Sequence, residues 1–273
     1  MARMARRQRE FIGKKENFTS QRHQTTPTKN KPTMKEPKLF VALPTTHGIM
    51  QSQFLPGLLD LFRERQVSMT VHQYIDPYGV MARNSAARDF LATDCTHILF
   101  IDADIVFTSN HVKLMLSNDV DVVGGLYPKK AEGQIQWVCN ALPERPEADE
   151  RGLLPLQHIG TGFLLVKRAV LEKMLEVYRD EMDYLEAEID QQCWDFFPMR
   201  IIDRRMISED WFFCNRCREL GYTVYGDTKV ILRHIGTVQF PLKTQVIESR
   251  RQKLEDALPE NAGSGGPHRT VAA

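Results

Sequence analysis

Two aspartates separated by one residue stand where an apolar run ends. The run is Ile98-Leu99-Phe100-Ile101, and Asp102-Ala103-Asp104 follows it directly. Buried carboxylates without partners are costly, so two acids at the end of a buried strand favour a bound cation. Mg²⁺ and Mn²⁺ prefer oxygen ligands and commonly lie between carboxylates and the phosphates of a substrate. The pair therefore predicts a divalent metal site for a diphosphate, although the same acids could instead cap a turn or face water.

A second acidic pair, Glu209-Asp210, follows Ser208 at the start of a predicted helix. Ser208 suits the N-cap position, and acids in the first turn interact favourably with the helix dipole, so stability alone could explain the pair. A carboxylate held there could also accept a proton from an attacking hydroxyl group. We take Asp210 as the candidate general base.

Two further features stand at predicted strand ends. The segment His158-Ile159-Gly160-Thr161-Gly162 has two glycines, which either let a ligand approach the backbone closely or serve only a turn. His234 ends an apolar run and is a candidate third metal ligand, although a lone histidine is more often structural.

The elements that must position these residues alternate between strand and helix patterns. Apolar runs predict strands at 39–43, 68–74 and 97–101, with helices at 54–62 and 81–93 between them. This order predicts a Rossmann-like α/β fold, in which a mostly parallel central sheet is flanked by helices and chemistry lies at the carboxyl ends of the strands.

The later part of the chain continues this pattern with less regularity. Helices are predicted at 112–116, 168–178 and 209–220, the last one ending at Gly221, which suits a left-handed position. Loop composition marks 143–155, and 180–207 has no regular pattern. The predicted strands are 120–127, 134–141, 162–166, 223–225 and 230–234.

Composition is that of a soluble globular protein. The 273 residues are 42% hydrophobic and 26% charged, enough for one full core. No run approaches the ~20 apolar residues that cross a bilayer, so no integral membrane association is expected. Five unevenly spaced cysteines without a secretory signal indicate reduced thiols and a cytoplasmic location.

Charge is concentrated in the leading segment. Residues 1–38 contain eleven Lys or Arg against three Glu, a local charge of +8, whereas the whole chain carries only +1. The arm 1–37 is expected to be disordered, either as a solubilising segment or as one that contacts nucleic acid. After the α/β domain at 38–243 we expect an amphipathic helix at 244–258 and a disordered tail at 259–273.

The order of these motifs resembles that of the GT-A fold nucleotide-sugar glycosyltransferases, and within them the family 2-like enzymes. The resemblance covers about residues 38 to 240. Its motifs are Pro44-Thr45-Thr46, Ala82-Arg83-Asn84, Asp102-Ala103-Asp104, Gly160-Thr161-Gly162, Glu209-Asp210 and His234.

This resemblance implies a role for each matching position. It implies that Asp104, with Asp102 and His234, holds Mn²⁺ or Mg²⁺ on the diphosphate of a UDP- or GDP-linked sugar donor. It also implies that Asp210, with Glu209 beside it, is the base in an inverting transfer to a glycan or other hydroxyl acceptor, although retaining enzymes share the metal motif. The donor-binding residues that it implies are Pro44, Thr45, Thr46, Asp76, Arg83, Asn84, Asp102, Ala103, Gly160, Thr161 and Gly162.

Two other functions remain open on the sequence. A sugar nucleotidyltransferase also presents acids to Mg²⁺, but it normally needs a glycine-rich basic loop where this chain has Pro44-Thr45-Thr46-His47-Gly48. A non-catalytic protein could bind nucleic acid through the basic arm. Lys129 and Lys130 could assist a diphosphate as cations or be simply solvated.

The remaining candidates have structural explanations. Trp194, Phe196 and Phe197 could stack on a sugar or pack in the core. Cys214 and Cys217 have the spacing of zinc ligands, but no second pair matches them, so a pair of core thiols is the better interpretation.

Overall fold

The computed structural model describes residues 36–64, 67–76, 79–131, 135–187 and 190–236. The predicted helix at 244–258 and tail at 259–273 lie outside these residues. The basic arm 1–37 also lies outside them except for its last two positions.

Five α-helices and fourteen strands are present in the described residues. The helices are α1 (Leu55–Arg63, after a 3₁₀ turn at Ser52–Phe54), α2 (Val80–Leu91), α3 (Ser109–Ser117), α4 (Arg168–Met182) and α5 (Glu209–Glu219). The strands are β1 (Lys38–Thr45), β2 (Ser68–Ile75), β3 (His97–Ile101), β4 (Ile105–Val106), β5 (Val122–Leu126), β6 (Cys139–Ala141), β7 (Leu153–Ile159), β8 (Phe163–Lys167), β9 (Asp183–Glu186), β10 (Gln191–Trp194), β11 (Arg200–Ile202), β12 (Arg205–Ile207), β13 (Val224–Ile231) and β14 (Arg233–His234).

Eight strands form the central sheet in the order β2-β1-β3-β8-β5-β13-β7-β6. β1 pairs in parallel with both β2 and β3, and β5 pairs in parallel with β13. β8 runs antiparallel to β3 and β5, and β7 runs antiparallel to β13 and β6. All strands except β7 and β8 therefore share one direction, which confirms the mostly parallel α/β sheet.

Alternation along the central strands divides the core between the two sheet faces. Phe40 and Phe100 face a cluster that includes apolar residues of α2, α4 and α5. Val41 and Leu99 face the other cluster, to which α1 and α3 contribute. Because β3 is covered on both faces, its residues Ile98 to Ile101 form a continuous buried apolar run that ends at Asp102.

The later elements differ from the sequence expectations. The stretch 180–207, expected to be irregular, forms two antiparallel hairpins, β9 with β10 and β11 with β12. β7 begins at residue 153, inside the expected loop 143–155, and β6 begins only at residue 139 rather than 134. The strands expected at 223–225 and 230–234 are instead the long strand β13 and the two-residue strand β14. The strands β11 and β12 are almost wholly exposed and leave no apolar pattern in the sequence, and the pairing of β14 with β4 joins segments that are far apart in the chain.

The cysteine and aromatic interpretations are decided by burial. All five cysteines are free, and Cys214 and Cys217 are fully buried, as expected for core thiols. Phe196 and Phe197 are also fully buried, and Phe197 packs against Phe100 with ring centroids 5.3 Å apart, so these two phenylalanines are core residues. Within the described ranges, every helix is too short or too polar to cross a membrane.

Candidate active site

The predicted acidic motif forms a tight turn at the carboxyl end of β3. The backbone N–H of Ile105 donates to the carbonyl of Asp102 (3.0 Å), which closes the turn between β3 and β4. Hydrogen bonds of 2.9, 3.0 and 2.9 Å join the backbone of residues 102–104 to Gly162, Gln51 and Ile235, respectively. Three distant parts of the chain therefore hold the motif in place before any ligand binds.

Asp102 pairs with a buried arginine from α2. The Arg83 Nη2 donates to Asp102 Oδ1 at 2.7 Å, and the two side chains are 8% and 33% exposed. Burial raises the pKa of the Asp102 carboxyl, and the charge of Asp104 adds to this effect, whereas Arg83 opposes it. Because Arg83 occupies Oδ1, the other carboxyl oxygen is the one available to a ligand.

Asp104 has two cationic or polar neighbours from later in the chain. Lys130 Nζ donates to Asp104 Oδ2, and His234 Nε2 lies 3.6 Å from Asp104 Oδ1. Burial alone would raise the pKa of the Asp104 carboxyl, but His234 and Lys130 outweigh it, and the pKa is lowered. Asp104 is therefore the more strongly ionised of the two acids.

The tautomer of His234 follows from its second contact. Its Nδ1 lies 2.9 Å from the carbonyl oxygen of Pro128, which can only accept, so Nδ1 carries a hydrogen. The ring also packs edge-on against Tyr127, with centroids 5.2 Å apart. Nε2 is thus directed toward Asp104, in the arrangement by which metal-ligating histidines are commonly oriented.

The residues around this turn fit a divalent cation. Asp104 Oδ1 is buried and has no hydrogen-bond partner among the described residues. In those same ranges, no group of three or more His, Cys, Asp or Glu side chains is arranged to hold a metal ion by itself. Mg²⁺ and Mn²⁺ sites that serve phosphates often use only one or two protein carboxylates, with waters and substrate oxygens completing the shell. An orphaned carboxylate oxygen facing an imidazole nitrogen meets that requirement.

A groove of about 400 Å³ opens beside the turn. Its wall includes a β-turn at 46–49 in which His47 and Gly48 have φ of 56° and 71° and the N–H of Ile49 donates to the carbonyl of Thr46 (3.2 Å). The positive φ of His47 is uncommon for a residue with a side chain. The predicted residues that line the groove are Pro44, Thr45, Thr46, Arg83, Asp102, Ala103 and Asp104, and the further lining residues are His47, Ile49, Gln51 and Gly79.

The glycine segment packs against a tyrosine that the sequence analysis did not identify. The N–H of Gly162 donates to Tyr127 Oη at 2.9 Å. A Cβ atom added to Gly160 or Gly162 would lie 2.4 or 2.7 Å from that oxygen, so both positions need glycine. Thr161 between them is buried. Burial also raises the pKa of Tyr127, which therefore remains protonated. Position 127 lies at the end of a predicted strand, and the expectation that functional residues lie at strand ends could have identified Tyr127.

Asp210 lies at a second, smaller cavity of about 130 Å³. Its Oδ1 accepts hydrogen bonds from the hydroxyl of Ser208 and from the N–H of Trp211 (2.8 Å). Trp211 stacks on His158 with ring centroids 4.4 Å apart and an angle of 5° between the planes. The cavity is lined by Lys129, Val138, Cys139, Asn140, His158, Ile159, Gly160, Asp210 and Trp211.

His158 is neutral at physiological pH because burial lowers its pKa, although Asn215 and Asp210 oppose this shift. Its Nε2 lies 3.0 Å from Asn215 Oδ1. Trp211 directly follows the acidic pair, so its position beside the candidate base could have been predicted. The part played by His158 depends on a contact between β7 and α5 that the sequence does not reveal.

Six predicted residues line neither cavity: Asp76, Asn84, Thr161, Gly162, Glu209 and His234. Thr161 is buried, Gly162 contacts Tyr127, and His234 lies beside Asp104. Asn84 donates to Asp195 (3.0 Å) and accepts from the N–H of Phe197 (3.1 Å), so it anchors the segment after β10 to α2. Asp76 accepts the N–H of Gly79 at 2.9 Å in the turn before α2. Glu209 is the first residue of α5, beside Asp210.

Many solved structures are similar to this chain, among them two crystal structures. No protein-family model matches the chain, and no curated protein matches it. The crystal structure of A197 from STIV is 16% identical over 76% of this chain and 98% of that chain, with a TM-score of 0.43. The crystal structure of GalNAc-T7 with UDP, GalNAc and Mn²⁺ is 9% identical over 74% of this chain and 44% of that chain, with a TM-score of 0.48. Both TM-scores are below 0.5, so neither similarity bears on the function of this chain.

Proposed function

We propose that this protein is a metal-dependent glycosyltransferase that moves a sugar from a nucleoside-diphosphate donor to an acceptor hydroxyl. One observation carries the proposal: the buried Oδ1 of Asp104, which has no hydrogen-bond partner among the described residues, faces the Nε2 of His234 at the edge of a groove about 400 Å³ in volume. A carboxylate oxygen and an imidazole nitrogen in this relation suit a cation that also binds the phosphates of a ligand in the groove.

The groove would hold the donor. Asp104 and His234, with the second oxygen of Asp102, would hold Mn²⁺ or Mg²⁺, and that ion would neutralise charge on the departing nucleoside diphosphate. Arg83 keeps Asp102 in position through its 2.7 Å ion pair. The wall formed by residues 44–49 would contact the nucleoside, and Ile49, which is 65% exposed, offers an apolar surface for a base.

The second cavity would hold the acceptor. Asp210 is fixed at the start of α5 by two hydrogen bonds to one oxygen, which leaves the other oxygen to accept a proton. The stacked rings of Trp211 and His158 give this cavity a rigid wall. Gly160, which lines the same cavity, belongs to the segment that is joined to Asp102 through the backbone of Gly162.

The reaction in this arrangement is an inverting displacement. The acceptor oxygen forms a bond with the anomeric carbon while its proton passes to Asp210. The bond from that carbon to the phosphate oxygen breaks, and the nucleoside diphosphate leaves with the electron pair. Glu209 adds negative charge beside Asp210, in the first helical turn where the dipole tolerates it.

The test separates donor binding from transfer. Calorimetry with UDP and GDP, with and without Mn²⁺, should show metal-dependent binding of one nucleotide. Asp104→Asn should weaken that binding more than about tenfold, because even outer partners of a metal ligand are worth 10–100-fold. The control Asp121→Asn removes a carboxylate that pairs only loosely with Lys167, at 3.6 Å, and should bind normally.

Asp210→Asn should bind the nucleotide normally and transfer sugar about 10²–10⁴-fold more slowly, the usual contribution of a general base. Normal transfer by this variant would show that Asp210 is not the base. Nucleotide binding that ignores Mn²⁺ would contradict the metal site, and pyrophosphate-dependent release of a nucleoside triphosphate would identify a nucleotidyltransferase instead.

A further inference from the structure

The hairpin formed by β11 and β12 projects apolar side chains into solvent. Its two central residues, Asp203 and Arg204, have φ of 50° and 63°, as in the tight two-residue turns that match strand twist. Every residue of β11 is exposed. A two-stranded hairpin is only marginally stable alone, so an exposed face without polar cover calls for an explanation.

One face of this hairpin is entirely apolar. Ile201 and Met206 are directly paired across the strands and are 71% and 62% exposed. Met199, two residues before Ile201, is 49% exposed, and the alternation of side chains along a strand places it toward the same face. We define Met199, Ile201 and Met206 as the apolar tip.

The hairpin that carries the apolar tip is positively charged. Residues 199–207 contain three arginines and one aspartate, a net charge of +2. Arg200 is paired with Asp195 at 2.7 Å. Arg204 and Arg205 have no ion-pair partner in the part of the chain that the structure describes. Arg204 lies in the turn next to the tip, and Arg205, which pairs with Ile202, lies on the opposite face of the hairpin, so both guanidinium groups remain available to an anionic partner.

We propose that this hairpin docks the protein on the surface of an anionic lipid bilayer. Apolar side chains bordered by arginines suit the boundary of headgroups and acyl chains, where the apolar atoms enter the membrane and the guanidinium groups meet phosphates. The tip offers on the order of 300 Å², well below the ~800 Å² per partner of a stable protein interface. Its size and charge therefore favour a lipid surface over a folded partner.

The position of the hairpin gives docking a consequence for the rest of the molecule. β12 ends one residue before α5, whose first turn carries Asp210 and Trp211. A membrane-bound hairpin would therefore place the second cavity near the lipid surface. The docking inference itself rests on the exposed tip and its arginines, not on glycosyl transfer.

The test is sedimentation of the full chain with vesicles. Vesicles of phosphatidylcholine and phosphatidylglycerol in equal amounts should bind the protein, and vesicles of phosphatidylcholine alone should bind it much more weakly. The double variant Ile201→Gln, Met206→Gln should lose at least about tenfold in vesicle affinity, since it replaces two apolar side chains that would enter the membrane with polar ones. Arg204→Gln should lower vesicle affinity about fivefold, because one cation near an anionic surface contributes about 1 kcal/mol to binding.

The control is Ile231→Gln, at a position on β13 that is 49% exposed, and it should bind vesicles like the original protein. Several results would overturn the proposal. These are no binding to the mixed vesicles, undiminished binding by the double variant, equal binding to both vesicle types, and dimers or complexes with an acidic protein that depend on the tip without vesicle binding. A fall in the melting temperature of the double variant, without vesicle binding by the original chain, would show that the chain covers its own tip and would also overturn it.

Discussion

Asp102 and Asp104 are two residues apart, and their carboxyl groups have opposite pKa shifts. Burial raises the pKa of Asp102 despite its contact with Arg83, whereas His234 and Lys130 together lower the pKa of Asp104 against the effect of burial. Sequence spacing identifies both acids but does not distinguish them. The distinction comes from Lys130 and His234, which lie 26 and 130 residues after Asp104.

Lys130 Nζ contacts Asp104 Oδ2 and would therefore compete with a cation at that carboxylate. Lys130→Met should raise the affinity for Mn²⁺ alone by about two- to fivefold, since a partly exposed ion pair is worth up to about 1 kcal/mol. Titration calorimetry with Mn²⁺ in the absence of nucleotide would measure this change.

The neighbouring lysine provides the matched control. Lys129 lines the second cavity and carries the same charge, so Lys129→Met should leave Mn²⁺ affinity nearly unchanged. Equal gains in both variants would mean that general charge, rather than the contact with Asp104, sets the affinity. A loss of affinity in Lys130→Met would contradict competition altogether.

At the scale of elements, the strands and helices that bury apolar side chains could be predicted from the sequence, and the short exposed strands of the second half could not. β1, β3, β8, α1, α2, α4 and α5 follow from apolar spacing because each one contributes buried residues to the core. β2 was also predicted, although its side chains are only half-buried or exposed. The hairpins within 180–207 were missed because β11 and β12 expose nearly all of their side chains and leave no burial pattern. The short pair of β4 with β14 brings His234 beside Ile105, and it arises only from long-range contact.

The packing of α1 predicts that replacing its glycine by alanine destabilises the protein, whereas helix propensity alone predicts stabilisation. Gly57 lies within α1, and a Cβ there would lie 2.4 Å from the carbonyl oxygen of Phe107, a backbone atom that cannot rotate away. Gly→Ala in a helix normally stabilises by about 1 kcal/mol. Gly57→Ala should instead destabilise by about 1–3 kcal/mol, as overpacking does. Urea unfolding followed by circular dichroism would measure it.

Gly221→Ala is a control in which backbone strain acts without any steric contact. Gly221 follows α5 with φ of +87°, and an added Cβ would meet nothing within 4 Å. Gly221→Ala should cost about 1 kcal/mol through the left-handed conformation alone. If Gly57→Ala were as stable as the original protein, the close approach of α1 to Phe107 would be wrong.

At the scale of the whole molecule, the candidate site is an assembly of segments that are far apart in the sequence. The order of the motifs predicted that Arg83, Asp104 and His234 belong together, and the structure places all three at or beside the turn 102–104. It did not predict the contacts of Asn84 with Asp195 and Phe197, because the side chains of adjacent helical residues point in different directions. The separation of Asp210 into a second cavity likewise depends on the packing of α5 against β7.

Histidines that are buried or partly buried make the stability of the molecule sensitive to acid. Burial, assisted by Lys167, lowers the pKa of His97 from 6.5 to about 4, and burial also lowers the pKa of His111 and His158. Between pH 6.5 and 4 the unfolded chain binds protons at position 97 that the folded chain does not, so stability falls as the pH falls through this window. The lowered pKa of His97 alone should reduce the free energy of unfolding by about 2 kcal/mol when the pH is lowered from 7.5 to 5.

Urea unfolding of the original protein and of His97→Gln at these two pH values tests the assignment. The variant keeps a polar side chain that does not titrate, so its stability should fall by about 2 kcal/mol less than that of the original protein. An identical fall in both proteins would mean that His97 is as free to protonate in the folded state as in the unfolded one. The remaining fall in the variant should then come from His111 and His158, because the same burial that shapes the core and the second cavity excludes their protonated forms.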